Sequence, residues 1–316
     1  MTDTYTPDEK FQPRLDYVMC ASPAGTHRMA YWEWGDPDNE RVLLCVHGLT
    51  RTGRDFDFLA RRLSSHYRVV CPDVVGRGKS DWLINAAGYI VPQYVADMLT
   101  LIARLNPSRL DWVGTSMGGL IGLGLAGALA MSAIVRPDRG ACGLPAGDTL
   151  SLGKVVLNDI GPELSFSGLT RIAEYVGQPM QFDTFEHAVD YVRSVSAGFG
   201  IHDQVGWEDL TRYVFNKQGA CWTKHYDLRI AEPFADQSEP KIKASEALLW
   251  AAYESIETPI LIVRGQESDL LTAPVAQKML ERNPHARLHE VPHVGHAPTF
   301  RSDEQIDPVA EFLLSK

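Results

Sequence analysis

Two hydrophobic patterns alternate along this chain. Short runs at 42–46, 67–71, 110–113, 154–157 and 259–263 are apolar at nearly every position. A run without alternation predicts a strand buried on both faces, as in a parallel sheet covered by helices. Between these runs, 56–63, 91–105, 120–131, 244–256, 274–282 and 307–314 read as helices, most with apolar residues at helical spacing. Asn106-Pro107 ends the second of them. The chain opens differently. Residues 1–13 read as a loose polar arm, and 14–20 and 28–35 as two strands of a hairpin turning at Pro23-Ala24-Gly25. With a last strand at 286–291, the eight strands predict an α/β fold: a mostly parallel eight-stranded sheet with helices on both faces.

The texture changes at 163–243, which is aromatic and helical, with Tyr175, Phe182, Tyr191, Phe199, Trp207, Trp222 and Phe234 among its residues and no buried strand run. It predicts an inserted helical lid, residues 163–243, on a core built from 1–162 and 244–316. Most of those aromatics would be the lid's own core, and some the apolar wall of a pocket. The Gly/Pro-rich stretch 136–149 is a loop, either a surface loop or an assembly contact, which leaves a homo-oligomer possible.

Composition narrows the function classes. The 316 residues are 45% hydrophobic and 22% charged, as in an ordinary globular protein. The net charge of −10 and the lack of a basic stripe argue against a nucleic-acid partner. No apolar run spans a bilayer, and the start of the chain has no secretory pattern. Five scattered cysteines without C-x-x-C point to reduced thiols in a cytoplasm.

The chemistry lies at strand ends. Gly114-Thr115-Ser116-Met117-Gly118 joins a buried strand to a small-residue helix, the setting of a nucleophile elbow. The turn is so tight that the residues two either side of the serine must be small, and Gly114 and Gly118 are. The strain lifts the Ser116 hydroxyl above the sheet and aims the Met117 N–H at developing negative charge. His47-Gly48-Leu49-Thr50 ends another central strand; His47 ties down the loop and the Leu49 N–H is a second oxyanion donor. Asp73 would hold the glycine-containing loop 73–80 by hydrogen bonds; a dinucleotide site there lacks its third glycine and its helix start. A serine needs a base and an orienting carboxylate. Ser268-Asp269 follows one strand and Gly295-His296 the next, and loops at the carboxyl ends of parallel strands converge. Ser116, Asp269 and His296 can therefore meet. Asp159, also at a strand end, is the rival acid, and His293 the rival base. Glu267 reads as a solvated charge. The spacing of His285, His289 and His293 would suit a metal on a helix, but the stretch reads as strand into loop.

These motifs, in this order, resemble the α/β-hydrolase family in its lidded branch, over nearly the whole chain from Trp32 to the last helix. The resemblance implies Ser116 as nucleophile, His296 as base, Asp269 as acid, and an oxyanion hole of the Leu49 and Met117 N–H groups, with no cofactor and no metal. Some members place the acid after the strand that carries Asp159. A serine in the elbow departs from haloalkane dehalogenases and epoxide hydrolases, and Leu49-Thr50-Arg51-Thr52 from the glycine-rich run of carbon–carbon bond hydrolases. The expectation is a serine hydrolase that cleaves a small, largely apolar carboxylic ester through an acyl-enzyme. Lactonase, amidase or carbon–carbon hydrolase activity would use the same triad, and a ligand-binding receptor is the alternative of another class. Lys217, Lys224 and Arg229 are a solvated face or recognise a substrate carboxylate.

Overall fold

The computed structural model describes residues 12–135, 150–201, 203–235 and 239–316. In chain order the strands are β1 (Arg14–Ser22), β2 (Gly25–Trp34), β3 (Arg41–Val46), β4 (Arg68–Pro72), β5 (Arg109–Thr115), β6 (Leu152–Asn158), β7 (Gln181–Phe182), β8 (Phe215–Gln218), β9 (Cys221–Lys224), β10 (Ile260–Gly265) and β11 (Ala286–Val291). The helices are α1 (Asp57–Leu63), α2 (Val91–Leu105), α3 (Met117–Val135), α4 (Phe166–Ala173), α5 (Phe185–Val195), α6 (Gln204–Arg212), α7 (Ala231–Ala235), α8 (Glu239–Glu254), α9 (Ala273–Arg282) and α10 (Asp303–Leu314).

Eight strands form one sheet in the order β1-β2-β4-β3-β5-β6-β10-β11. The β1–β2 and β2–β4 pairs are antiparallel and the other five junctions parallel. The unbroken apolar runs are explained by their two faces. Val42, Leu44 and Val46 of β3 join a core with α2, α3 and α8, whereas Leu43 and Cys45 join a second core with α1 and α10. β10 splits likewise, Ile260 and Ile262 to one side, Leu261 and Val263 to the other. Each residue of such a strand removes apolar surface from water, so no polar position is left to mark a face.

Between β6 and β10 lies a third cluster, in which Ala188, Val189, Val192, Trp207, Leu210 and Phe215 are buried against one another. The expectation of a purely helical segment is corrected here. β7, β9 and β8 form a three-stranded antiparallel sheet. Its strands are two to four residues long, too short to show a period. The hairpin turns at Gly219, whose φ of 61° is a glycine conformation. Two helices begin earlier than their spacing predicts. α8 starts at Glu239, and α10 at Asp303, with Pro308 inside it rather than at its start. The expected arm (in its first eleven residues), the 136–149 loop, Cys142 and the Phe234 side chain lie outside the described residues. Cys20, Cys45, Cys71 and Cys221 are free thiols. Among the described residues no helix is long and apolar enough to cross a membrane.

Candidate active site

The elbow follows from sterics. Ser116 has a φ of 51°, in the left-handed region that side chains disfavour. A Cβ on Gly118 would lie 1.9 Å from the Val46 carbonyl oxygen, and one on Gly114 2.4 Å from that of Gly118. Only glycine fits at either place. The Ser116 N–H donates to the Asn158 carbonyl at 2.9 Å, fixing the turn against the end of β6.

The Ser116 hydroxyl lies 3.0 Å from His296 Nε2, and His296 Nδ1 lies 2.6 Å from Asp159 Oδ2. The Asp159 side chain is fully buried. It accepts from the Gly265 N–H at 3.0 Å and from the Ser268 hydroxyl at 2.6 Å. With the carboxylate an acceptor from Gly265 and Ser268 as well, the His296 hydrogen is assigned to Nδ1, which leaves Nε2 to accept from Ser116.

Of the expected trio, Ser116 and His296 are brought together and Asp269 is not. This corrects Asp269 as the partner of His296. Its carboxylate takes a bidentate pair from Arg171 of α4, Nε at 2.6 Å and Nη2 at 2.8 Å, and its side chain is 44% exposed. That guanidinium holds the Asp269 carboxyl below its usual range. The residue that β10 sends to the histidine pair is Ser268, one position earlier. His293, with a φ of 58°, is exposed and beside Glu267, away from Ser116. His289 lies in β11 with His285 just before it.

The two oxyanion candidates, Leu49 and Met117, lie just beyond the ends of β3 and β5. Met117 is the first residue of α3, and first-turn N–H groups have no intrahelical partner. His47 is fully buried; its Nδ1 donates to the Gly48 carbonyl at 2.7 Å and its Nε2 accepts from the Val74 N–H at 2.9 Å. Burial pushes its pKa down to about 3, so it is neutral. Asp73 holds its loop as predicted, accepting from Gly53 and Lys79 N–H groups, and burial raises it to about 6. One residue of that loop carried no individual signal in the sequence: Arg77, fully buried, donates to the Leu49 carbonyl at 2.9 Å.

A pocket opens over Ser116 and His296. Ile172, Tyr175, Phe199 and Leu210, all from between β6 and β10, line it with Leu49 and Phe56. Its cations are Arg51, paired with Asp55, and Arg301, paired with Asp209. The cations expected from the sequence are elsewhere. Lys224 Nζ donates to the Tyr175 and Gln178 carbonyls, and burial lowers it to about 8. Arg229 pairs with Asp227, and Lys217 is exposed on β8. His225 binds the segment to the core: its Nδ1 accepts from the Gly78 N–H at 2.8 Å and its Nε2 meets the Thr50 carbonyl at 3.2 Å. Among the described residues, the one side-chain cluster suited to a metal is Cys20, His27 and Asp97, which contributes nothing to this pocket.

Residues 43–312 match the alpha/beta hydrolase family. The chain is 50% identical over 305 residues to a 3-hydroxybutyrate-oligomer hydrolase of Cupriavidus necator, an alignment covering 95% of this chain and 98% of that protein. It superposes on an alpha/beta hydrolase from Novosphingobium aromaticivorans with a TM-score of 0.78 at 32% identity, covering 96% and 98% of the two chains. E-2-(acetamidomethylene)succinate hydrolase shares the fold, with a TM-score of 0.74 at 19% identity over 96% of this chain and all of that one.

Proposed function

The chain belongs to the alpha/beta hydrolase family, and on that premise we propose that it is a serine esterase that cleaves short oligomers of 3-hydroxybutyrate or closely similar hydroxyacid esters. The observation that carries the mechanism is the relay from Ser116 through His296 to Asp159, at 3.0 and 2.6 Å, beneath a pocket. The substrate is suggested by the half-identical relative over nearly the full length of both chains.

In this reading His296 Nε2 removes the Ser116 proton as the oxygen attacks the ester carbonyl. Asp159 orients the ring and stabilises the imidazolium that forms. The oxyanion is held by the Leu49 and Met117 N–H groups, worth roughly 3–4 kcal/mol per donor in comparable sites. As the C–O bond breaks, His296 Nε2–H protonates the departing alkoxide oxygen to give the alcohol, and water, deprotonated by His296, then attacks the acyl-enzyme to release the acid and free Ser116. Segment 163–243 acts as a cap over this site: Ile172, Tyr175, Phe199 and Leu210 supply an apolar wall for the methyl-bearing repeat. The free thiols of Cys20, Cys45, Cys71 and Cys221 suit a reducing compartment such as the cytoplasm.

The test is incubation with the 3-hydroxybutyrate dimer and trimer, with monomer read by chromatography. In parallel, mass spectrometry maps the adduct of a fluorophosphonate. Monomer release with a single adduct on Ser116, both lost in Ser116→Ala, is expected. An adduct without monomer would move the substrate to other esters. No adduct on folded protein would sink the serine mechanism.

A further inference from the structure

Arg77 is 0% exposed, and among the described residues no carboxylate lies within ion-pair distance of it. A guanidinium that deep ordinarily has a carboxylate partner, because desolvating an unpaired charge is costly. Here its donors go to neutral acceptors. Nε donates to the Leu49 carbonyl at 2.9 Å, and Nη1 to the Val75 carbonyl at 2.7 Å and the Tyr94 hydroxyl at 2.9 Å. Nη2 meets Met117 Sδ at 3.7 Å. The rings of Tyr94 and Tyr89 lie 5.1 and 5.7 Å from the guanidinium carbon. Apart from Val75 of its own loop and the two tyrosines, the residues it reaches are Leu49 and Met117, the two proposed oxyanion donors.

We infer that Arg77 is a positioning residue for the oxyanion hole, clamping the Leu49 carbonyl and setting an unneutralised positive charge beside the two donor residues, at the Leu49 carbonyl and the Met117 side chain. The inference rests on the serine-esterase reading above. Its geometry is that of the planar peptide, in which C=O and N–H point opposite ways. His47 holds the Gly48 carbonyl and so sets the direction of the Leu49 N–H. Arg77 holds the next carbonyl, so both peptides flanking Leu49 are fixed. The charge acts more on the transition state than on the substrate, since the ester carbonyl is neutral and the tetrahedral oxygen is anionic.

The test compares the wild type with Arg77→Met and Arg77→Lys on one soluble ester. Each is also assayed for inhibition by butylboronic acid, which forms a tetrahedral anion on the serine, and by a neutral substrate-like amide. Arg77→Met is expected to lower kcat by about ten- to a hundredfold with KM nearly unchanged. The boronate Ki should rise by the same factor and the amide Ki should hold. Arg77→Lys keeps the charge without the fork and should recover part of the loss. A folded Arg77→Met with unchanged kcat and boronate Ki overturns the inference, as does a rise confined to KM. If Arg77→Met fails to fold, Arg77→Lys decides alone: a kcat within twofold of wild type overturns the inference, and a parallel loss of kcat and boronate affinity supports it. Wild type that neither turns over nor takes a fluorophosphonate on Ser116 would mean that the esterase reading had failed first.

Discussion

The ends of β6 and β10 each carry an aspartate, and only one of the two reaches the histidine. Asp159 directly follows its strand, in a left-handed conformation with a φ of 56°, and is wholly enclosed. Asp269 stands four residues beyond β10, is half exposed, and is taken by Arg171. Yet the β10 end is not idle. It lends the buried carboxylate two donors, the Gly265 N–H and the Ser268 hydroxyl. One strand end supplies the charge and the other supplies the hydrogen bonds that hold it. The difference teaches that a carboxylate's place in such a site depends on which cation or donor reaches it first, as well as on the strand it follows.

The sharpest way to break this comparison is to neutralise each acid in turn. Asp159→Asn should lower kcat by about 10⁴-fold, the loss seen when the orienting aspartate of a triad becomes an amide. Asp269→Asn should change it by less than about threefold, since ion pairs this exposed contribute little. Comparable losses in steady-state assays of the two variants would mean that the sites share the acid's role.

Ser268→Ala tests the loan between the two ends. It removes a charge-assisted bond to Asp159, worth roughly 1.5–3 kcal/mol. Urea denaturation should show a stability loss of that order, and kcat should fall by about tenfold. A variant as stable and active as wild type would leave Asp159 independent of β10.

Arg171→Gln frees Asp269 and should cost about 1 kcal/mol or less, with the active-site titration unmoved in a pH–rate profile. A shifted profile would tie the exposed pair to the chemistry.

The smallest effect lies in pH. Arg171 depresses the folded pKa of Asp269, so its contribution is complete above the unfolded value near 3.9 and is lost as pH falls through the folded value. The small stability deficit of Asp269→Asn should therefore be full at pH 7 and shrink as pH falls below about 3.9. A deficit that persists in acid would have to come from packing.

The same contrast explains what could be read in advance. The eight-stranded sheet was legible because its central strands are apolar on both faces, as in 42–46, and the elbow because only glycine fits beside Ser116. The placing of His296 beside Ser116 was legible through Gly295-His296, as the family resemblance has it; the structure adds that the Gly295 N–H bonds to the Gly198 carbonyl. The choice of acid was not, because both aspartates follow buried strands and Arg171, which captures one of them, lies 98 residues away in sequence. The small sheet between β6 and β10 stayed hidden for a different reason: Asn216, Lys217 and Gln218 are exposed on a strand that buries only Phe215. Arg77 was hidden by convention, since a cation within a glycine-rich loop looks solvated until its burial is seen.

Position 116 has a bearing on how this chain came to be what it is. A serine at a φ of 51° carries roughly 1–3 kcal/mol of backbone strain that glycine would not. On the proposed mechanism, Ser116→Gly should relieve that strain, be more stable than the native protein in denaturation, and be inactive. On that mechanism, the serine that stands there gives up persistence for turnover, in a conformation the fold would sooner be rid of.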